Sequence, residues 1–195
     1  MSLFIRQDNY FFDIKVQKTY SLIMGNKTMK HSVFMKRALE IAEDMLAHGY
    51  LPVGAVLVKG NKVIADNAFV KGDKENLQRL DHAEVVALRR LFQKEVDINV
   101  NDVTLYCTFE PCLMCYSSAI IAGITKIVFA YEDVMGGGTN INHAALQPFY
   151  SEITMNITND VCRDESLALF KQYFKNPDNA YAGKLLESYT LTATS

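Results

Sequence analysis

Hydrophobic and polar positions begin to follow a regular pattern at Ser32. Apolar side chains then recur every three or four residues, with charged residues on the other faces; they are Phe34, Ala38, Ile41, Ala42 and Met45. This spacing predicts a helix, which Ser32 can cap and Gly49 can end. Two short apolar runs, 53–58 and 62–65, flank Gly60-Asn61 and predict a β-hairpin.

Helical and extended periodicities alternate along the rest of the chain. They predict, in order, a helix over about 82–94, a strand over 103–108, a helix over about 111–122, a strand over 126–131, a strand within 151–157, and a C-terminal helix marked by Leu167, Phe170, Tyr173 and Phe174. Strands that alternate with helices imply right-handed crossovers and helices on both faces of a sheet. The pattern therefore predicts a three-layer α/β/α sandwich around a central mixed sheet of about five strands.

One domain accounts for most of the chain. Its 195 residues lie in the usual size range of a globular domain, and no internal repeat or long linker divides them. Residues 1–30 show no consistent pattern, so we expect an N-terminal arm that is partly disordered. Residues 31–195 are then expected to form a single domain with a C-terminal helical extension.

Composition excludes several classes of protein. With 49% hydrophobic and 22% charged residues, the chain is typical of globular domains rather than disordered or fibrous ones. A net charge of −2 argues against a strongly basic nucleic-acid binder, although a local basic patch is compatible with it. We find no signal peptide and no membrane span in the sequence. Four cysteines, two of them spaced C-x-x-C, favour a reducing compartment, and we expect the cytoplasm.

Two short segments carry the candidate chemistry: His82-Ala83-Glu84 and Glu110-Pro111-Cys112-Leu113-Met114-Cys115. A C-x-x-C pair offers two soft ligands, which is half of a tetrahedral zinc site, and the sequence has no second such pair. Three protein ligands with one open position are typical of catalytic zinc, and His82 is the natural third ligand. Glu84 follows two residues later, where it can face an activated water rather than the ion.

Both segments are predicted to lie at helix N-termini. Pro111 suits the first helical turn, which would place Cys112 and Cys115 on one face where the helix dipole favours thiolates. If the strands that precede the two helices are parallel neighbours, both N-termini lie at the carboxyl edge of the sheet. The ligands would then meet at that edge.

Each motif also has a simpler interpretation. Glu84 alone fits the third position of a capping box whose N-cap is Asp81. The C-x-x-C pair alone fits a redox site. A catalytically silent, zinc-stabilised binding module is a further alternative, but a purely structural site needs no carboxylate beside the ligand His82. The combination of both motifs at helix starts favours catalytic zinc.

These segments resemble the zinc-dependent cytidine/deoxycytidylate deaminase superfamily, whose signature is H-x-E followed by P-C-x-x-C. The resemblance covers about residues 33–175, and it is strongest to the branch of tRNA adenosine deaminases, guanine deaminases and fungal cytosine deaminases. It implies one Zn²⁺ per chain, held by His82, Cys112 and Cys115. It also implies that Glu84 moves the protons when an exocyclic amino group is hydrolysed and released as ammonia.

The same resemblance indicates candidate contacts to the base. The family usually has an Asn after the second strand; that position is Phe69 here, and Asn67 lies two residues earlier on the same side of a continued strand. The candidate substrate-binding residues are Gly54, Ala55, Asn67, Phe69, Glu110, Asp133 and His143. For His143, a solvent-facing position is the alternative. Gly136-Gly137-Gly138 lacks the G-K-[ST] of a phosphate loop, so we expect a flexible loop at the rim of the site.

Charge separates two classes of substrate. Binding of tRNA needs several phosphate contacts from Lys or Arg, yet Glu132 and Asp133 follow the fourth strand, where relatives commonly have basic residues. The tail 176–195 adds only Lys184 against Asp178 and Glu187, and basic residues cluster elsewhere, at Lys15, Lys18, Lys27, Lys30, Lys36 and Arg37. We therefore expect a free nucleobase or related small heterocycle, with wobble adenosine in tRNA as the alternative. The resemblance, together with the apolar helix 111–122, also predicts a homodimer.

Overall fold

The computed structural model describes residues 27–68, 80–94, 98–179 and 183–194, in which helices flank one five-stranded sheet. The first part contains α1 (Lys27–Ala47), β1 (Ala55–Lys59), β2 (Lys62–Asp66), α2 (Ala83–Lys94) and β3 (Val103–Phe109). The second contains α3 (Leu113–Ile121), β4 (Lys126–Tyr131), a 3₁₀ turn (His143–Ala145), α4 (Pro148–Ser151), β5 (Asn156–Thr158), α5 (Arg163–Lys175) and α6 (Lys184–Thr192).

The sheet is mixed, as predicted, with the strand order β2-β1-β3-β4-β5. Strand β1 is antiparallel to both β2 and β3, whereas β3, β4 and β5 are parallel. The strands that precede α2 and α3 are therefore parallel, but they are not neighbours, because β1 lies between them. One edge still collects the functional segments, since Ala55 at the start of β1 lies opposite Cys107 near the end of β3.

The hairpin forms at the predicted turn. Lys59 pairs with Lys62, which leaves Gly60 and Asn61 as a two-residue connection. Gly60 has a φ of +63°, a conformation that two-residue hairpin turns require and that glycine adopts without steric cost.

Apolar side chains fill both faces of the sheet. On one face, Leu57 and Leu105 pack in a buried cluster that includes Ala87 of α2 and Ala119 of α3. On the other face, Val56 joins a cluster that includes residues of α1. This arrangement confirms the three-layer sandwich. None of the described helices is both long and apolar enough to cross a membrane.

Several boundaries differ from the sequence predictions. Helix α1 is described from Lys27, so Ser32 lies inside the helix instead of capping it; no Gly or Pro interrupts residues 27–31, and Lys and Met are good helix formers. Strand β5 is confined to Asn156–Thr158 because the short helix α4 occupies part of the segment before it. Residues 1–26, which make up most of the predicted arm, lie outside the described residues.

The C-terminal tail contains α6, which is held to the core through Glu132, the residue that follows β4. Arg163 at the start of α5 donates two hydrogen bonds to the Glu132 carboxylate, through Nε at 2.8 Å and Nη2 at 2.5 Å. Tyr189 of α6 donates a third, at 2.7 Å. Burial opposes ionisation of Glu132, but the hydrogen bonds from Arg163 and Tyr189 outweigh it and lower the pKa of this carboxyl. Glu132 therefore links β4, α5 and α6.

We predict that Glu132→Gln lowers the free energy of unfolding by about 1–2 kcal/mol at neutral pH, because charged hydrogen bonds are lost. The folded-state pKa is depressed, so this stabilisation is present above the unfolded-state pKa of about 4.3 and disappears as pH falls through the folded-state value. Denaturant unfolding of both proteins between pH 3 and about pH 7 measures it. The exposed Glu152→Gln is the control. A difference between wild type and Glu132→Gln that does not depend on pH would contradict the assignment.

Candidate metal centre and active site

The two motif segments meet at the edge of the sheet where β3 ends. His82 holds the N-cap position of α2, since its carbonyl accepts the hydrogen bond from the Val86 amide at 2.9 Å. Cys112 is the N-cap of α3 in an extended conformation, with φ −64° and ψ 168°, and Cys115 lies in the first turn. Pro111 therefore precedes the helix instead of lying in its first turn, because the chain stays extended through Cys112. The predicted convergence of two helix N-termini is present.

Three donor atoms converge at this point. His82 Nδ1 lies 3.5 Å from the Sγ atoms of both Cys112 and Cys115, and the two Sγ atoms are 3.6 Å apart. Exposure decreases from His82, which is exposed, through Cys112 to Cys115, which is buried. The group is thus anchored in the protein on the Cys115 side and faces solvent on the His82 side.

These distances match the edges of a tetrahedral metal site. At the usual Zn–S and Zn–N bond lengths, tetrahedral geometry separates two thiolates by about 3.8 Å and a thiolate from an imidazole nitrogen by about 3.6 Å. A redox pair has no need of a third donor equidistant from both sulfurs. Together, His82, Cys112 and Cys115 could hold a metal ion.

Ionisation of the three donors is interdependent. The hydrogen bond from Cys115, together with the interaction with His82, lowers the pKa of Cys112 to about 4. The neighbouring sulfur and burial raise the pKa of Cys115, while the hydrogen bond to Cys112 raises that of His82. One thiolate is therefore ready to bind a cation, and the second loses its proton when a metal binds.

Glu84 is buried beside the donors, with 3% of its surface exposed. Because α2 begins at Ala83, Glu84 takes the second helical position and not the third, which excludes the capping-box interpretation. Its Oε2 accepts a hydrogen bond from Cys115 Sγ at 3.3 Å, and the Asp81 carboxylate instead pairs with Arg89 at 2.7 Å. Burial raises the pKa of Glu84, although its hydrogen bonds oppose the rise. A carboxyl in this position is suited to holding and releasing a proton.

The start of β1 is held by side chains at the same edge. The amide of Gly54 donates to Thr108 Oγ1 at 2.9 Å, and the amide of Ala55 donates to Asn67 Oδ1 at 2.6 Å. Asn67 also donates to the Val53 carbonyl at 3.2 Å. A Cβ on Gly54 would lie 1.9 Å from the Ala38 carbonyl oxygen, so α1 approaches too closely for any other residue. The structure thus brings Gly54, Ala55 and Asn67 together.

Glu110 and the three-glycine segment form one unit. The buried Glu110 carboxylate accepts hydrogen bonds from the amide of Asp133 at 3.1 Å and from the amide and hydroxyl of Thr139. Asp133 in turn accepts from the amides of Met135 and Gly136 through its own Oδ1. The loop predicted to be flexible is therefore tethered at both ends by a carboxylate.

Two candidate substrate-binding residues remain, His143 and Phe69. His143 is half-buried: its Nε2 lies 2.8 Å from the Tyr116 hydroxyl, and its Nδ1 lies 3.2 Å from the Tyr150 carbonyl oxygen. It connects α3 to the segment after the glycine loop and is not solvent-facing. Phe69 lies outside the described residues.

Sequence reasoning missed Thr108, Thr139 and Arg163. Each acts through a contact with a residue distant in sequence, so no local pattern marks it.

Comparison with known proteins identifies the group to which this site belongs. The family model described as MafB19-like deaminase matches residues 29–176. The chain belongs to that family. It is a hydrolytic C–N deaminase of the cytidine/deoxycytidylate deaminase superfamily, as the H-x-E and P-C-x-x-C motifs predicted.

Several relatives of this deaminase are tRNA-specific adenosine deaminases. It is 33% identical over 147 residues to a tRNA-specific adenosine deaminase of Buchnera aphidicola, covering 73% of this chain and 86% of the relative. It is 30% identical over 144 residues to the tRNA-specific adenosine deaminase of Haemophilus influenzae, covering 72% and 81%. A solved tRNA deaminase that performs A-to-I editing at the wobble position is 26% identical, with a TM-score of 0.60, covering 70% of this chain and 97% of that one.

We predict that Glu84→Gln keeps its metal and loses deamination by about a hundredfold or more, because the proton carrier is removed while the ligands remain. Cys112→Ala, by contrast, should lose the metal and become less stable, because metal binding is coupled to folding. Metal content per chain, thermal unfolding and ammonia release measure these effects. An active metal-free wild type, or an unimpaired Glu84→Gln protein, would contradict the assignment of the site.

Proposed function

We propose that this deaminase converts adenosine to inosine in tRNA, at the wobble position, with one zinc ion per chain. The tRNA-specific relatives at about 30% identity support this substrate over the free nucleobase that composition favoured. The wobble position comes from the solved neighbour with the TM-score of 0.60. A tRNA substrate is also consistent with the expected cytoplasmic setting.

The observation that carries the proposal concerns the side-chain contacts of Glu132 and Asp133, the two acidic residues that follow β4. Glu132 and Asp133 argued against an anionic substrate as long as both were considered free charges. The Glu132 charge is paired with Arg163 at 2.5 Å, and the Asp133 carboxylate is engaged by two amides of its own loop. The ion pair compensates one of the two charges on which the electrostatic objection to tRNA rests, whereas Asp133 keeps its charge, so the objection is weakened.

Zinc at His82, Cys112 and Cys115 would supply a Lewis acid that lowers the pKa of water toward neutrality. Hydrolysis consumes one water and replaces the exocyclic amino group by a carbonyl oxygen, with ammonia as the second product. Glu84 accepts one proton from the attacking water and delivers it to the ring nitrogen; it then takes the second proton from the new hydroxyl group and delivers it to the departing amine. Burial, which raises the pKa of Glu84, helps this carboxyl to hold the proton between the two transfers.

Gly54 and Ala55 would contact the base by packing. Both amide N–H groups already donate inside the protein, to Thr108 and Asn67. The start of β1 therefore offers a close, flat backbone surface rather than free donors. We propose that it forms one wall for the base, with the Glu110 segment, Asn67, Asp133 and His143 supporting or lining the others.

A free nucleobase is the second candidate. Phe69 occupies the position where the family usually has an Asn that contacts the base or ribose. An aromatic side chain there can stack on a base but cannot bind a ribose hydroxyl.

We predict that the enzyme converts wobble adenosine in tRNA to inosine and releases no ammonia from free adenine, guanine or cytosine. Binding of tRNA should weaken steeply with salt, because counterions are released from each phosphate contact. Inosine formation, ammonia release and salt-dependent binding measure these properties, with the Glu84→Gln protein as the binding-competent inactive control. Turnover of a free base without any inosine in tRNA would select the second candidate.

We further propose a homodimer through α3. This helix buries Tyr116 and Ala119 but exposes Leu113 at 52% and Ile121 at 65%, so it is not enclosed within one chain. What favours α3 over other helices with an exposed apolar residue is its apolar composition throughout, together with the family resemblance, which implies a dimer through this helix.

We predict that light scattering finds a dimer at micromolar concentration and that Ile121→Glu shifts it to monomer, because a charge would be buried in the interface. Leu185→Glu on α6 is the matched control, since Leu185 is equally exposed, at 60%. A wild-type protein that is monomeric at this concentration would contradict the proposed homodimer.

A further inference from the structure

We propose that Glu110 is a positioning residue for the metal ligand Cys112, and that it acts through the loop Asp133–Thr139. This inference rests on the proposed metal site. Its physical basis is a continuous set of contacts from the Glu110 carboxylate to the Cys112 backbone.

Glu110 is enclosed and fully engaged. It is 5% exposed, and its two carboxylate oxygens accept from opposite ends of the loop: Oε2 from the Asp133 amide, and Oε1 from the Thr139 amide at 3.3 Å and hydroxyl at 2.5 Å. Charge-assisted hydrogen bonds of this kind are stronger than neutral ones. The Glu110 carboxylate therefore holds the two ends of the loop, Asp133 and Thr139, close together.

The closed loop lies directly against the ligand segment. Gly137 pairs with Cys112 as an isolated antiparallel bridge, and the Gly138 amide donates to the Pro111 carbonyl at 2.9 Å. The approach leaves no room for side chains: a Cβ on Gly138 would lie 2.6 Å from the Leu113 Cα, and one on Gly137 would lie 2.5 Å from the Glu110 Cδ. The glycines that resembled a phosphate loop are thus needed for contact with the protein itself.

Cys112 needs this support more than Cys115 does. Cys115 lies within the first turn of α3 and is buried, so the helix fixes it. Cys112 precedes the helix in an extended conformation and is only half-buried. No intrahelical bond restrains its own amide. The loop held by Glu110 is what packs against its backbone.

The test is metal affinity, measured by competition between the zinc-loaded protein and a chelator. Loss of an outer-shell partner typically weakens metal binding 10- to 100-fold, so we expect Glu110→Gln and Gly137→Ala each to weaken zinc binding about tenfold or more. Gly136→Ala is the matched control in the same loop, because its Cβ would meet only the Asp133 side chain, at 3.1 Å. It should keep the wild-type affinity.

If Glu110→Gln does not fold, two less disruptive substitutions at Thr139 test the positioning role of Glu110. Thr139→Val removes the hydroxyl that donates to Glu110, and Thr139→Ser keeps it; we expect weaker zinc binding in the first and wild-type binding in the second. Cobalt substitution gives a spectroscopic readout, because the thiolate-to-cobalt bands should change in Thr139→Val alone.

Two results would overturn the inference in different ways. If wild type holds one zinc and neither Gly137→Ala nor Thr139→Val changes its affinity, the positioning role is wrong and the proposed function stands. If the wild-type protein binds no zinc, the positioning role of Glu110 and the proposed zinc-dependent function are both wrong.

Discussion

The packing of α2 against α3 on one face of the sheet is the constraint on which the active site depends. His82 caps one helix, and Cys112 and Cys115 lie at the start of the other, so the donor distances of 3.5–3.6 Å follow from how the two N-termini approach. Ala83 and Ala87 of α2 and Ala119 of α3 belong to one buried apolar cluster, and small side chains of this kind permit close packing of helices. A shift of one helix along its axis would separate His82 from both thiols.

Much of this arrangement was predictable from the sequence because its causes are local. The hairpin follows from Gly60-Asn61 between two apolar runs, and the ligand set follows from two motifs at helix starts. Strand order was not predictable in the same way: β1 lies between β2 and β3, and pairing between distant strands leaves no short-range pattern. The predicted start of α1 was wrong because helix-favouring residues precede Ser32, and the predicted place of Pro111 was wrong because the chain stays extended through Cys112.

The hydrogen-bond and ion-pair partners of the acidic side chains are the other property that the sequence did not reveal. Glu132 and Asp133 count as two negative charges in the sequence, yet Arg163 pairs with one and the loop amides occupy the other. Glu110 was proposed as part of a base contact, and its carboxylate proves to hold the adjoining loop. Arg163 lies 31 residues from Glu132, and Asp133 and Thr139 lie 23 and 29 residues from Glu110, so no local pattern in the sequence reveals these partners.

The central claim is that the fold places one imidazole nitrogen and two thiolates at the corners of a tetrahedral zinc site. X-ray absorption at the zinc edge of the purified protein tests it directly. The account predicts two sulfur scatterers at about 2.3 Å and two lighter scatterers, nitrogen or oxygen, at about 2.0–2.1 Å. A shell of four sulfurs, or of nitrogen and oxygen without sulfur, would contradict it.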